Sequence, residues 1–323
     1  MSNYVVNSKT CIHMPKKADN DGVRSILEHY TVGINWEYVY DLNDNTITIG
    51  NTAKVDFSGF DYAINIDEEG VYIASETYAG VMRGFVTMLE RISCVGFEQY
   101  EIDEGCITDK PVIDFRCIHF CALPEITYDF LKKCIRTAII SKYTHIIVEF
   151  WGMLKMDAFE LLGWPFAFTK EEIKPLFEEI CAFGIEIIPF FQHWGHASLS
   201  RGGASGKHVV LDQDIRYAYL YGKGTYGWAW DYKKQEVKDL LRKVRNELIE
   251  LCGEGKYFHI GCDEAISLKT CEEAMEVVNH INGVVAELKK QGRTALMWGD
   301  MLLNASFLPG AQVHPTWGRI CYD

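Results

Sequence analysis

The chain has no C-x-x-C pair although it carries eleven cysteines, and their odd number and scattered positions exclude a disulfide framework. They read as mostly reduced core thiols. No run of Lys and Arg is dense enough to track a phosphate backbone and the net charge is −13, which excludes nucleic acid as a partner. No apolar stretch reaches membrane-spanning length, and Met1-Ser2-Asn3-Tyr4 is a polar start without the basic and apolar regions of a signal peptide. A cytoplasmic protein that takes no membrane is therefore expected. A Walker loop, a dinucleotide glycine fingerprint, a G-x-S-x-G elbow and an H-E-x-x-H frame are also missing. His193 and His196, three apart, lack the partners that a zinc motif would add. The expectation is that the protein needs no cofactor and no metal.

What is present is a chain of 323 residues, 48% hydrophobic and 24% charged, long enough for a large core and about two domains. The surplus of acid keeps it soluble, and a neutral polyhydroxylated substrate would tolerate such a surface. From Tyr30 to about Ile107 the pattern favours strands and hairpins. Asn45-Thr-Ile-Thr-Ile49 alternates, and Tyr62-Ala-Ile-Asn-Ile66 meets Val71-Tyr-Ile73 across the turn-forming Asp67-Glu-Glu-Gly70. Tyr78 to Ser93 then sets Val81, Phe85, Met88, Leu89 and Ile92 at helical spacing. Residues 1–110 thus read as a small α+β domain.

Past Thr108-Asp-Lys-Pro111 short apolar runs alternate with longer amphipathic segments, the mark of repeated βα units. Strands are predicted near 115–121, 145–151, 185–191, 257–261, 295–298 and 313–317, and helices near 128–141, 170–183, 233–252 and 268–291. The fold class is α/β: a TIM-type (β/α)8 barrel over residues 111–323, preceded by the small domain. A closed barrel of this type needs eight strands and about 250 residues. The chain is therefore expected to be truncated at its C-terminus, before the barrel closes.

The sharpest local signal is Tyr257-Phe-His-Ile-Gly-Cys-Asp-Glu-Ala265, an apolar strand running into Gly261, Cys262 and two adjacent acids. In a barrel, functional groups gather at the C-terminal ends of strands. Alternation would send neighbouring strand residues to opposite faces, but here the chain is leaving the sheet, so Asp263 and Glu264 both reach the mouth. One ionised and one protonated acid suit glycosidic bond cleavage. Taken alone, the pair also fits the start of the following helix, where acids complement the macrodipole.

His259-x-Gly261-x-Asp263-Glu264 resembles the H-x-G-G-D-E signature of the family 20 glycoside hydrolases, the β-N-acetylhexosaminidases. Phe115-Arg116 looks like the family's sugar-binding arginine, and Gly184 to Pro189 with Gly195-His196-Ala197 looks like its third strand and P-G-H segment. Trp298-Gly-Asp300 resembles the W-D-E stretch, and Trp317 falls where a pocket tryptophan follows the sixth strand. The block from Asp61 to Ile92 resembles the family's small α+β domain. The chain departs from the pattern at Cys262, where the family has glycine, at Trp194, where it has proline, and at the second strand. That strand reads His145-Ile-Ile-Val-Glu-Phe-Trp151 in place of H-x-H followed by acids, with Glu149 as a partial replacement.

The resemblance implies a retaining, substrate-assisted hydrolysis of terminal β-linked N-acetylhexosamine, GlcNAc or GalNAc. Glu264 would be the general acid and base, and Asp263 would hold the 2-acetamido group through an oxazolinium intermediate. Arg116, Glu149, His196, Trp298, Asp300 and Trp317 would contact the N-acetylated glycan. His259 reads mainly as a buried scaffold residue. The Gly-, Tyr- and Trp-rich segment 192–231 reads as a substrate-facing loop, with Tyr221, Tyr226, Trp228 and Trp230 as candidate contacts on the leaving side. Two other readings stay open: a glycan-binding protein on the same fold without turnover, and a retaining glycosidase with two distant acids such as Glu149 and Glu264.

Overall fold

A computed structural model describes residues 3–7, 9–31, 34–198, 209–265, 268 and 270–302. The chain divides into two compact units. The first comprises Met1–Ile118, Lys132–Ile146 and Pro175–Glu186, and the second comprises His119–Leu131, Ile147–Lys174 and Ile187–Asp323. No described helix is long and apolar enough to cross a membrane.

The first unit opens with β1 (Asn3–Val6), β2 (Cys11–Pro15), α1 (Asp21–Tyr30), β3 (Glu37–Leu42), β4 (Thr46–Gly50), β5 (Tyr62–Asp67) and β6 (Gly70–Ala74). It continues with α2 (Tyr78–Leu89), β7 (Ser93–Gly96), β8 (Gln99–Asp103) and β9 (Gly105–Asp109). Six strands form one sheet in the order β3-β2-β4-β6-β5-β9, and β1-β8-β7 form a second. The expected hairpin is present in the register Ile64↔Ile73 and Ile66↔Val71. Its turn is held by the Asp67 carboxylate, which accepts from the backbone N–H groups of Glu69 (2.9 Å) and Gly70 (3.1 Å). α2 lays its apolar face on β5 and β6, and its Arg83 makes a forked pair with Asp61 at 2.7 and 2.6 Å.

The sequence boundary at 110/111 differs from this division, because most of α3 (Tyr128–Ile140) and the second half of α4 (Lys170–Cys181) group with the first unit. The buried Arg136 of α3 pairs with Glu179 of α4 and donates to Ser25 Oγ of α1 at 2.9 Å. Tyr30 donates to the Arg136 carbonyl at 3.0 Å, and Tyr78 to that of Ala182 at 2.6 Å.

β10 (Cys117–Ala122), β11 (His145–Phe150) and β12 (Glu186–Ile188) form a sheet in that order. His145 N–H donates to the Arg116 carbonyl at 3.1 Å and Trp151 N–H to that of Ala122 at 3.1 Å, so β10 and β11 run in the same direction.

The second unit holds α5 (Val210–Gln213), α6 (Gln235–Cys252), β13 (Tyr257–His259), α7 (Cys271–Lys290) and β14 (Thr294–Leu296). β13 and β14 pair in parallel, and Phe190 just past β12 bridges His259 in parallel. The predicted strands near 115–121, 145–151, 185–191, 257–261 and 295–298 are thus found, each shorter overall and displaced by a few residues at its ends, while 313–317 lies outside the described residues. α6 buries Val237, Leu241, Val244, Leu248 and Leu251, and α7 buries Ala274, Val277, Ile281, Val284 and Leu288. Both sets follow the three-and-four spacing of a helix with one apolar stripe.

Candidate active site

The strand-end glycine makes the site possible. At Gly261 φ is +66°, and a Cβ there would sit 2.0 Å from Gln192 Oε1, so only glycine lets the chain turn while Gln192 reaches past it. Gln192 is fully buried. Its side-chain oxygen accepts from Cys262 N–H at 3.0 Å and its amide donates to Asp263 Oδ1 at 2.7 Å. One side chain thereby fixes the backbone before the acid and one oxygen of the acid itself. Gly195 plays the reciprocal part, since a Cβ on it would lie 2.3 Å from the Asp263 carbonyl.

His196, 3% exposed, stands with Nε2 3.3 Å from Asp263 Oδ2 and 3.2 Å from Glu264 Oε2. One imidazole therefore touches both adjacent carboxylates. The two acids differ in access: the Asp263 side chain is 19% exposed and that of Glu264 is 42% exposed. Trp228 lies 4.3 Å from the His196 ring and donates through Nε1 to the Glu264 carbonyl at 2.6 Å. Asp300 accepts the Glu264 N–H at 3.0 Å, while its other oxygen is buried without a hydrogen-bond partner among the described residues. Three non-glycine residues here hold left-handed backbone: His196 (φ +49°), Cys262 (φ +72°) and Glu264 (φ +42°). Such conformations are uncommon for L-residues, and their concentration around one pair of acids is typical of a functional site.

Trp298 is 40% exposed and packs against His259 at 4.9 Å between ring centroids. His259 is buried and its Nδ1 accepts from Gly261 N–H at 3.1 Å, the scaffold role expected of it. Glu149, 2% exposed, lies 3.1 Å from His119 Nε2 and 3.7 Å from the Cys121 thiol. Burial disfavours the charged imidazole of His119, but hydrogen bonds to Cys121 and Glu149 and the Glu149 charge outweigh it and push its pKa up to about 9.

The structure brings together Asp263, Glu264, His196 and Asp300, with Trp228 beside them. Arg116 is placed differently from its expected sugar contact. It precedes β10, at the N-terminal end of the strand, and its guanidinium donates to the carbonyls of Ile113 (2.8 Å) and Lys142 (3.1 Å). Two of its donors thereby tie the segment before β10 to the segment before β11. Tyr221 and Trp230, candidate contacts on the leaving side, are 4% and 1% exposed and stack at 4.7 Å, so they are core. Tyr226 is 84% exposed. Trp317 lies outside the described residues. Sequence reasoning missed Gln192, His119 and Cys121. The signal for Gln192 was a lone amide in the apolar run Phe190-Phe191-Gln192, and for the other two it was polar alternation inside β10.

No family model matches the chain. Hexosaminidase D from Bos taurus is 24% identical over 172 residues, which is 49% of this chain and 46% of that protein, so the chain spans about half the length of the curated relative it matches. A GH20 β-N-acetylhexosaminidase from Streptomyces coelicolor has a similar structure over 93% of this chain and 64% of that one, with a TM-score of 0.68 and 18% identity. A Streptomyces plicatus β-hexosaminidase variant in complex with the product GlcNAc is similar over 93% of this chain and 63% of that one, with a TM-score of 0.67 and 19% identity. The chain thus resembles the family 20 β-N-acetylhexosaminidases and has their α/β fold.

Proposed function

We propose that this chain carries the catalytic part of a retaining β-N-acetylhexosaminidase acting on terminal GlcNAc or GalNAc, a barrel preceded by a small α+β domain. The observation that carries the reading is the single imidazole of His196 shared by Asp263 and Glu264, at 3.3 and 3.2 Å. Two adjacent acids on one side of a sugar suit substrate assistance better than direct attack by an opposed carboxylate. The more exposed Glu264 gives its proton to the glycosidic oxygen as the bond from the anomeric carbon breaks, and the acetamido oxygen attacks that carbon from the other face. Asp263, held by Gln192 and His196, faces the acetamide and stabilises the positive charge that grows as it cyclises. Glu264, now a carboxylate, takes a proton from water, which opens the oxazolinium ring. Two inversions at one carbon give retention.

The test is release of 4-nitrophenol from the GlcNAc and GalNAc β-glycosides by the intact protein. Asp263→Asn is expected to lower kcat by about 10²- to 10³-fold, since the shape stays and the charge goes. Glu264→Gln is expected to lower it by about 10²- to 10⁴-fold on substrates with poor leaving groups. Full activity in either variant would refute the assignment. A folded wild type that binds GlcNAc without turnover would favour a glycan-binding protein on the same fold.

A further inference from the structure

His119 and Cys121 stand two apart on β10 and so share one face of the strand, and Glu149 comes from the neighbouring β11. Their ligand atoms all lie within 4.8 Å of one another. His119 Nε2 is 3.1 Å from Glu149 Oε2, and Cys121 Sγ is 3.7 Å from the same oxygen. A tetrahedral zinc ion with imidazole nitrogen at ~2.05 Å, carboxylate oxygen at ~2.1 Å and thiolate at ~2.3 Å needs N···O and S···O edges of about 3.4 and 3.6 Å. The two edges to Glu149 fall within a few tenths of an ångström of these, and the His119–Cys121 edge lies within 4.8 Å. His119 Nε2 and the buried Glu149 carboxylate lie against each other as an ion pair, so a cation binding here would displace the ring proton and take its place between the two.

The surroundings fit the same use. Glu149 is buried and Cys121 is exposed, so a cation here would be anchored on one side and reachable from the other. The His119 ring is kept in place by Phe190 at 5.2 Å and by Trp298, stacked at 6.2 Å with 15° between the planes. A nitrogen, sulfur and oxygen donor set suits zinc and its borderline neighbours and is poorly matched to calcium or magnesium, which prefer oxygen alone. Because the donors come from two strands and 28 residues apart, the local spacing that announces a zinc motif is missing.

We propose that His119, Cys121 and Glu149 form a transition-metal site of the zinc class, with three protein ligands and a fourth position open to solvent. It does not depend on the hydrolase reading and is measured without turnover. Tag-free, chelator-treated protein is titrated with Co²⁺, then with competing Zn²⁺. The expected result is about one equivalent bound, with the strong visible bands of tetrahedral cobalt and a sulfur-to-cobalt charge-transfer band, both erased by Zn²⁺. Cys121→Ser is expected to abolish the charge-transfer band, and Glu149→Gln and His119→Gln each to weaken Zn²⁺ affinity more than tenfold, with far-ultraviolet circular dichroism unchanged. A cluster that is only an ion pair binds no Co²⁺ and overturns the proposal. So does a charge-transfer band that survives in Cys121→Ser, which would place the metal on another cysteine. Should Cys121→Ser misfold, the two glutamine variants and the wild-type spectrum still decide.

Discussion

Gln192 is the residue through which the proposed catalytic geometry is most exposed to test. It makes no charge of its own, yet it holds Cys262 N–H at 3.0 Å and Asp263 Oδ1 at 2.7 Å from a fully buried position. Gln192→Leu leaves the shape filled, Cys262 N–H without this acceptor and Asp263 with His196 as its remaining hold. On the hydrolase reading, an Asp263 that drifts by about 1 Å costs kcat about 10²-fold. Loss confined to kcat, with thermal stability nearly kept, is the outcome of a positioning role; a fall in stability with kcat intact would make Gln192 merely structural. Gly261→Ala attacks the same geometry from the backbone, because it places a methyl against Gln192 Oε1 at a φ of +66°. It is expected to cost about 1–3 kcal/mol in urea unfolding. A variant as stable as wild type would show that the turn after β13 gives way more easily than a 2.0 Å contact with Gln192 requires.

At the scale of elements, the sequence was most legible where the hydrophobic period was long. α3, α4, α6 and α7 fall within a few residues of the predicted helices, and the β5–β6 hairpin sits on the predicted turn. α1 went unread although Asn20 caps it, accepting from Val23 N–H at 2.9 Å, and Val23, Ile26 and Leu27 form its buried stripe. Its ten residues follow a run of short, mixed segments in which no long period builds up. The buried Arg136–Glu179 pair and the cluster of His119, Cys121 and Glu149 could not be read, because their members are near in space and distant in the chain. The acids 263 and 264 were legible because neighbours in sequence remain neighbours at a strand end. α7 offers a direct check on the local rules: Thr270 caps it by accepting from Glu273 N–H at 3.1 Å. Thr270→Ala is expected to lower stability by about 1 kcal/mol by denaturant unfolding.

For the molecule as a whole, the response to acid is set by histidines that are buried neutral as well as by its many carboxylates. His193 is fully buried and donates from Nδ1 to the Phe191 carbonyl at 2.7 Å, so its Nε2 accepts from Arg245 at 3.0 Å. Burial, and then the Arg245 charge, hold it well below the usual range. His280 on α7 is pulled by burial from 6.5 down to about 4, with Lys238 and Arg245 opposing its protonation more than Glu287 favours it. The sign follows from proton counting. Between pH 6.5 and 4 the unfolded chain carries a proton on His280 that the folded chain does not, so stability rises with pH in that window and is lost as pH falls. The loss from His280 amounts to about 2 kcal/mol between pH 6.5 and 5. His280→Asn removes this proton uptake without adding a charge, so its urea midpoint is expected to fall less steeply between pH 7 and 5 than that of the wild type. Parallel pH slopes for the two proteins would mean that His280 is solvated in the folded state and that the acid sensitivity resides elsewhere, first of all in His193.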